Sequence, residues 1–247
     1  IGECVAKYWV KNGGKVVLAD VSEEGLSRVE KDIQAMGGEA ATIVCDVTKE
    51  EDNAAMANLA IEKFGAINFV LPCAGIIRDG MFLSPDRETG KITRKMPLEQ
   101  FQSVMDINVT GVFLSIRECA EQMINNNCKG LICLISSTGS LGTAGQINYS
   151  STKAAMSVMP KVIVAEFFRR NLAHQIRCVA VAPGYVGTEM VKGMNQKALD
   201  KILENVPIKR LVEPEEVASL MGELYRNEAI NGDVFFIHGG LRLGSKG

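Results

Sequence analysis

The chain of 247 residues is 47% apolar with a formal net charge of −2, so it can bury one substantial core and nothing in it forces a division into two domains. Acids and bases are interspersed, which leaves no electrostatic footprint for nucleic acid or an anionic membrane, and no apolar run is long enough to cross a bilayer. Seven scattered cysteines without a CxxC pair, and only two histidines, read as reduced thiols in a cytosolic protein and not as a disulfide framework or a zinc site.

Strand and helix signals alternate from end to end. "KVVLAD" (15–20) is a short β-branched run, followed by Ser22 as an N-cap and by Leu26, Val29, Ile33 and Met36 at helical spacing up to Gly37 and Gly38. "AATIVCDV" (40–47) is a second strand; Thr48 and Glu51 then have the spacing of a capping box for a helix that runs to Gly65. "NFVLPCAG" (68–75) and "GLICLIS" (130–136) are the next strands. Between them lie a polar loop or small hairpin at 79–97 and a long helical stretch from about 98 to 126. A helix from about 149 to 171 leads to "IRCVAVAP" (176–183), and one from about 214 to 226 leads to "DVFFIHGG" (233–240). The less regular stretch 185–212 is a candidate substrate lid, with Met190, Val191 and Met194 suited to an apolar substrate. The strands are continuous apolar runs, as expected where helices cover both faces. Right-handed βαβ crossovers then give a single α/β domain over 1–247 with a doubly wound parallel sheet of the Rossmann type.

In such a sheet, ligands bind at the carboxyl ends of the strands. Asp20 ends the first run, where a carboxylate can accept both hydroxyls of an adenosine ribose and would repel a 2′-phosphate; it therefore favours NAD over NADP, although a helix-capping Asp would stand at the same place. Asp46 could touch adenine or serve as a turn residue, and Gly75 permits close approach of backbone to a cofactor. Tyr149 and Lys153 are one helical turn apart, so phenol and ammonium share a face, and the cation would draw the phenol's pKa down towards neutrality. Ser136 lies thirteen residues before Tyr149, across the flexible "STGSLGTAGQIN" (137–148), so the three can converge on one substrate oxygen. Asn108, in mid-helix against its propensity, needs a reason to be there, which a solvated side chain would supply.

"DINVTG" (106–111), "ISS" (135–137) followed by "YSSTK" (149–153), and "APGYVGTEM" (182–190) together resemble the short-chain dehydrogenase/reductases. The likeness is closest to the subgroup of 3-oxoacyl-(acyl-carrier-protein) reductases and related secondary-alcohol dehydrogenases, and it spans essentially the whole chain. The resemblance implies that Tyr149 is the general acid/base and that Lys153 tunes it and binds the nicotinamide ribose. Ser136 would hold the substrate oxygen, and Asn108 would help hold a proton-relaying water. It further implies a cofactor track through Gly2, Asp20, Asp46, Val47, Ala74, Gly75, Pro183, Gly184, Val186 and Thr188. Hydride passes between cofactor and substrate carbon, without a metal, in a cytoplasmic homotetramer or homodimer. The substrate is a small alcohol or ketone, possibly a 3-oxoacyl thioester. A nucleotide-binding scaffold without turnover is the competing reading.

The chain departs from that pattern in several places. The family opens with a strand and a Gly-rich turn, whereas "IGECVAKYWVKNGG" (1–14) matches only the end of that turn and the helix after it, with Gly2 the one fingerprint glycine. A native polypeptide beginning earlier is the expectation, and the lost strand should leave two strands without ladder partners. Cys73 stands where the family has an amide, Pro160 interrupts the helix carrying the catalytic pair, and the 84–95 loop, with Arg87, Lys91, Arg94 and Lys95, is longer than usual. Met156, Met159, Ile163 and Phe167 share a helix face that serves either an interface or the subunit's own core.

Overall fold

The computed structural model describes residues 1–188, 191 and 195–241. Helix α1 (Gly2–Lys11) precedes strand β1 (Val16–Asp20), α2 (Glu23–Ala35), β2 (Ala40–Val44), α3 (Glu50–Phe64) and β3 (Phe69–Val70). A hairpin of β4 (Leu83–Pro85) and β5 (Ile92–Lys95) follows. Then come α4 (Leu98–Met105), a π-helical turn (Asp106–Gly111) and α5 (Val112–Asn125), all one continuous helical stretch as expected. Strand β6 (Gly130–Ile135), a 3-10 turn (Thr138–Leu141), α6 (Ile147–Arg169) and β7 (Ile176–Pro183) carry the chain on. It finishes with α7 (Gln196–Glu204), α8 (Pro214–Arg226) and β8 (Val234–Ile237). No helix among the described residues is long and apolar enough to cross a membrane.

Every strand pair except the β4–β5 hairpin is parallel, as helical crossovers require. The central strands alternate between two cores. Ile132, Leu134, Cys178 and Ala180 pack with Val112, Ile116, Met123 and Met156 on one face. Leu131, Cys133, Val179 and Val181 pack with Val5, Val217, Met221 and Leu224 on the other. That period of two with both faces covered is the doubly wound arrangement. Met156 is fully buried in the first core and Met159, Ile163 and Phe167 pack against it, so this stripe of α6 serves the subunit's own interior.

The ladder is in two pieces. Strand β1 pairs with β2 alone, and β3 pairs with β6 in the order β3-β6-β7-β8, so β1 and β3 each have one side without a ladder among the described residues. Two strands with one open side each were expected. The anticipated run 68–75 is a strand only at Phe69 and Val70, which pair with Leu131 and Ile132. Helix α1 lends support from the side, with Trp9 stacked on Phe69 at a centroid distance of 4.0 Å and edged by Tyr225 of α8.

Local signals mostly hold. Ser22 caps α2 by accepting from the Gly25 N–H, Gly65 ends α3 in the left-handed region, and α6 runs unbroken through the buried Pro160. The capping box expected of Thr48 and Glu51 does not form. Lys49 is the N-cap, because Thr48 turns back and gives both its N–H and its hydroxyl to Asp46 Oδ1 at 3.0 and 2.7 Å. The 79–97 region is a hairpin with Arg87, Lys91, Arg94 and Lys95 all exposed. Of the lid, Tyr185 to Gly187 are bridged to Val212, and Met190 and Met194 lie outside the described residues.

Candidate active site

Residues at the carboxyl ends of β6 and β7 meet the first turns of α6. The buried Asn148 fixes the start of that helix: its amide donates to the Arg78 carbonyl at 2.8 Å and accepts the Tyr149 N–H at 2.8 Å. Thr152 Oγ1 donates to the Tyr149 carbonyl at 2.7 Å. Tyr149 is thereby held half-buried, with Lys153 one turn on and its Nζ 5.5 Å from the ring centroid. Only 8% of Lys153 is exposed, and its ammonium donates to the Ile135 carbonyl at 2.9 Å, at the end of β6.

The electrostatics differ from the sequence expectation. The phenol of Tyr149 is raised above its ordinary value, by burial first and by the Asp79 carboxylate as well, against a hydrogen bond with Ser137 that lowers it. Burial pushes the Lys153 ammonium down to about 8, opposed by Cys73. Desolvation penalises whichever form is charged, and here it is the largest influence on both groups.

Ser136 is not at the phenol. It is 1% exposed and points into the sheet–helix interface, where its hydroxyl donates to the Lys153 carbonyl at 2.8 Å and pairs with Ser157 Oγ at 2.7 Å. The next residue stands beside the tyrosine: Ser137, half-buried, has its Oγ around Gly139 together with the Tyr149 ring edge and accepts the Gly139 N–H at 3.0 Å. Successive residues of an extended segment point to opposite sides, so a one-residue difference decides which serine meets the substrate. The doubled serine of "ISS" was the signal for this ambiguity. Asp79 and Gln146 were also missed. Gln146 Nε2 donates to Asp79 Oδ2 at 2.9 Å, three residues ahead of the tyrosine.

Asn108 is 1% exposed, not solvated. Its amide donates to the Ile76 carbonyl at 2.9 Å and accepts the Ile76 N–H at 2.8 Å, stitching the π-helical turn to the segment after Gly75.

The cofactor track is partly assembled. Asp20 is exposed at the end of β1, its Oδ1 accepting the Ser22 N–H at 3.0 Å. Asp46 also behaves as a turn residue through Thr48, while Val47 packs against Gly111, where a Cβ would come within 2.6 Å of it. Ala74 and Gly75 are exposed; a Cβ on Gly75 would lie 3.3 Å from Asn108 Oδ1. Gly2 opens α1 against Cys73, whose sulfur accepts the Gly2 N–H. Pro183 closes β7, but Gly184 answers to packing: a Cβ there would lie 2.8 Å from His238 Cβ. The Val186 side chain is buried in the core beside α8, so only its backbone faces the site; Thr188 is half-buried. An acid at the end of β1, small residues after β3 and a lysine behind the tyrosine are together a donor set that fits a nicotinamide dinucleotide.

Comparison with known proteins agrees with this geometry. A family model described as enoyl-(acyl carrier protein) reductase matches residues 1–242. A 3-oxoacyl-(acyl-carrier-protein) reductase of Synechocystis sp. is 31% identical over 98% of this chain and 92% of its own length. Glucose 1-dehydrogenase 2 of Bacillus subtilis is 30% identical over 98% of this chain and 91% of its own. The structure of a 7α-hydroxysteroid dehydrogenase complexed with NADH and 7-oxo glycochenodeoxycholic acid superposes with a TM-score of 0.85 at 26% identity, covering 97% of this chain and 89% of that one. The chain belongs to the short-chain dehydrogenase/reductase family and is an oxidoreductase.

Proposed function

We propose that the protein interconverts a secondary alcohol and a ketone with NAD(H), Tyr149 exchanging the proton at the substrate oxygen. The observation that supports this reading is the meeting of Ser137 Oγ and the Tyr149 ring around Gly139, while the Lys153 ammonium is anchored beside the same ring. Ser137 and Tyr149 can hydrogen-bond one oxygen between them, which orients a carbonyl and leaves a single proton to move. A phenol raised by burial stays protonated at neutral pH and so holds the proton that ketone reduction needs. When alcohol is oxidised, Lys153 supplies the field that steadies the phenolate. The nicotinamide, when bound, supplies or accepts the hydride. Asp20, at the place of an adenosine ribose, supports NAD as the preferred form.

The relatives' names range over a thioester, a sugar and a steroid, so the substrate assigned is the shared chemistry, a CH–OH group and its ketone. A 3-oxoacyl thioester is one member of that class. Following nicotinamide absorbance with a panel of ketones and alcohols tests the reading. Turnover of at least one neutral ketone, lost by about a thousandfold or more in Tyr149→Phe with cofactor binding retained, is expected. A full panel without turnover, or an active Tyr149→Phe, would overturn it in favour of a non-catalytic nucleotide-binding role.

A further inference from the structure

The segment after β3 is strapped across the loop that precedes the catalytic tyrosine. Gly80 N–H donates to the Gly145 carbonyl at 2.8 Å, and Asn148 and Gln100 hold the Arg78 carbonyl at 2.8 and 2.9 Å. Gln100 also reaches the Asp79 carbonyl at 3.1 Å. These bonds fix the backbone of residue 79, and its side chain closes on Gln146. An ionised carboxylate only accepts, so the Gln146 amide must present its NH₂ to Asp79, and its oxygen turns the other way. That oxygen faces the reacting groups. A Cβ built on Gly139 would meet Ser137 Oγ at 3.4 Å, Gln146 Oε1 at 3.5 Å and Tyr149 Cε1 at 3.6 Å, so the three share one small space. Beyond the strap, Gly80, Met81, Phe82, Ala144 and Ile147 line an apolar cleft of about 380 Å³.

We infer that Asp79 and Gln146 are the specificity-determining pair of this site. They set a fixed acceptor and a negative charge beside the reacting carbon, suited to a substrate with a hydrogen-bond donor, such as a hydroxyl, on the neighbouring carbon and unsuited to one with a carboxylate there. The inference rests on the alcohol–ketone reading. An acceptor held in place rewards a hydroxyl and leaves a methyl unpaired, and a carboxylate would meet like charge. The same negative charge adds to the resistance of the Tyr149 phenol to ionisation.

A matched series isolates the group in question: 4-phenylbutan-2-one, 1-hydroxy-4-phenylbutan-2-one and 2-oxo-4-phenylbutanoate differ only in methyl, hydroxymethyl or carboxylate next to the ketone. Dissociation constants are measured by calorimetry on the full chain with oxidised cofactor present, so that no reduction occurs, and kcat/KM is measured with NADH. Wild type is expected to bind the hydroxyketone about tenfold more tightly than the methyl ketone and the keto acid about tenfold more weakly. Asp79→Asn is expected to narrow the keto-acid penalty to about twofold, and Gln146→Leu to abolish the hydroxyl preference. Raising salt from about 50 mM to about 500 mM should narrow the same penalty in wild type without any substitution. A keto-acid to methyl-ketone ratio unmoved by both Asp79→Asn and salt would overturn the inference. Absent turnover of all three ketones with NADH would count against the alcohol–ketone reading instead, and the binding ratios would still judge the pair.

Discussion

The Lys153 ammonium stands 5.5 Å from the centre of the Tyr149 ring and donates to the Ile135 carbonyl 2.9 Å away, inside the protein and not on its surface. A buried cation of this kind is held at a cost in stability.

That cost has a pH signature. The Lys153 pKa falls from 10.5 to about 8 on folding, so between those values the unfolded chain binds more protons than the folded one and stability rises with pH. At about 1.4 kcal/mol per unit the full effect is on the order of 3 kcal/mol, present as a penalty below pH 8 and relieved as pH climbs towards 10.5. Urea midpoints of wild type and Lys153→Met, measured at pH 7 and pH 10, should therefore converge or cross as pH rises, the wild type gaining relative to the variant. Parallel pH curves would contradict a buried, depressed ammonium. Activity of Lys153→Met should be lost at both pH values.

The two serines of "ISS" separate cleanly. Ser137→Ala removes the group that faces the phenol and should lower kcat/KM by about a hundredfold, with an unfolding midpoint close to wild type. Ser136→Ala leaves the Ser157 hydroxyl without its buried partner and should cost about 1–2 kcal/mol of stability while kcat/KM stays within about threefold. The reverse pattern would restore Ser136 as the substrate-binding residue.

This pair also shows how far sequence carries. Apolar runs such as "GLICLIS" and "IRCVAVAP" needed nothing beyond their own composition to be read as buried parallel strands, and Pro214 marked the start of α8 to the residue. The YxxxK spacing likewise placed Tyr149 and Lys153 on one face. What spacing could not reach was anything decided by a half-turn of backbone or by a distant partner. The choice between Ser136 and Ser137 depends on which side the chain leaves β6, and the direction of the Tyr149 shift depends on how deeply both groups are buried. Asp79 and Gln146 are 67 residues apart and meet only because Gly80 bonds across to Gly145.

Asn108 carries a structural load that propensity alone hid. Its amide closes two hydrogen bonds on the backbone of Ile76, at 2.8 and 2.9 Å, and no water competes for them at 1% exposure. Asn108→Leu leaves the part-buried N–H and carbonyl of Ile76 without their side-chain partner and is expected to destabilise the fold by about 1–3 kcal/mol. Asn108→Asp keeps the acceptor but not the donor and should lose less. Chemical unfolding of the two variants checks the order, and an Asn108→Leu protein as stable as wild type would remove the bridge from the account.

Asp20 is the residue proposed above to favour NAD. Its carboxylate is exposed at the carboxyl end of β1, and the Ser22 N–H at 3.0 Å fixes one oxygen and hence the orientation of the group. A ribose offering two hydroxyls can donate to such a carboxylate, whereas a 2′-phosphate brings like charge to it. The bond to Ser22 also supports the first turn of α2, so Asp20→Ala changes charge and local structure together. Asp20→Asn keeps the oxygen that accepts from Ser22 and removes the charge alone. The ratio of kcat/KM for NADH over NADPH is expected to fall by about tenfold in Asp20→Asn and further in Asp20→Ala, with the unfolding midpoint of the Asn variant unchanged. A ratio that stays at its wild-type value in both variants would mean that Asp20 serves α2 and not the cofactor.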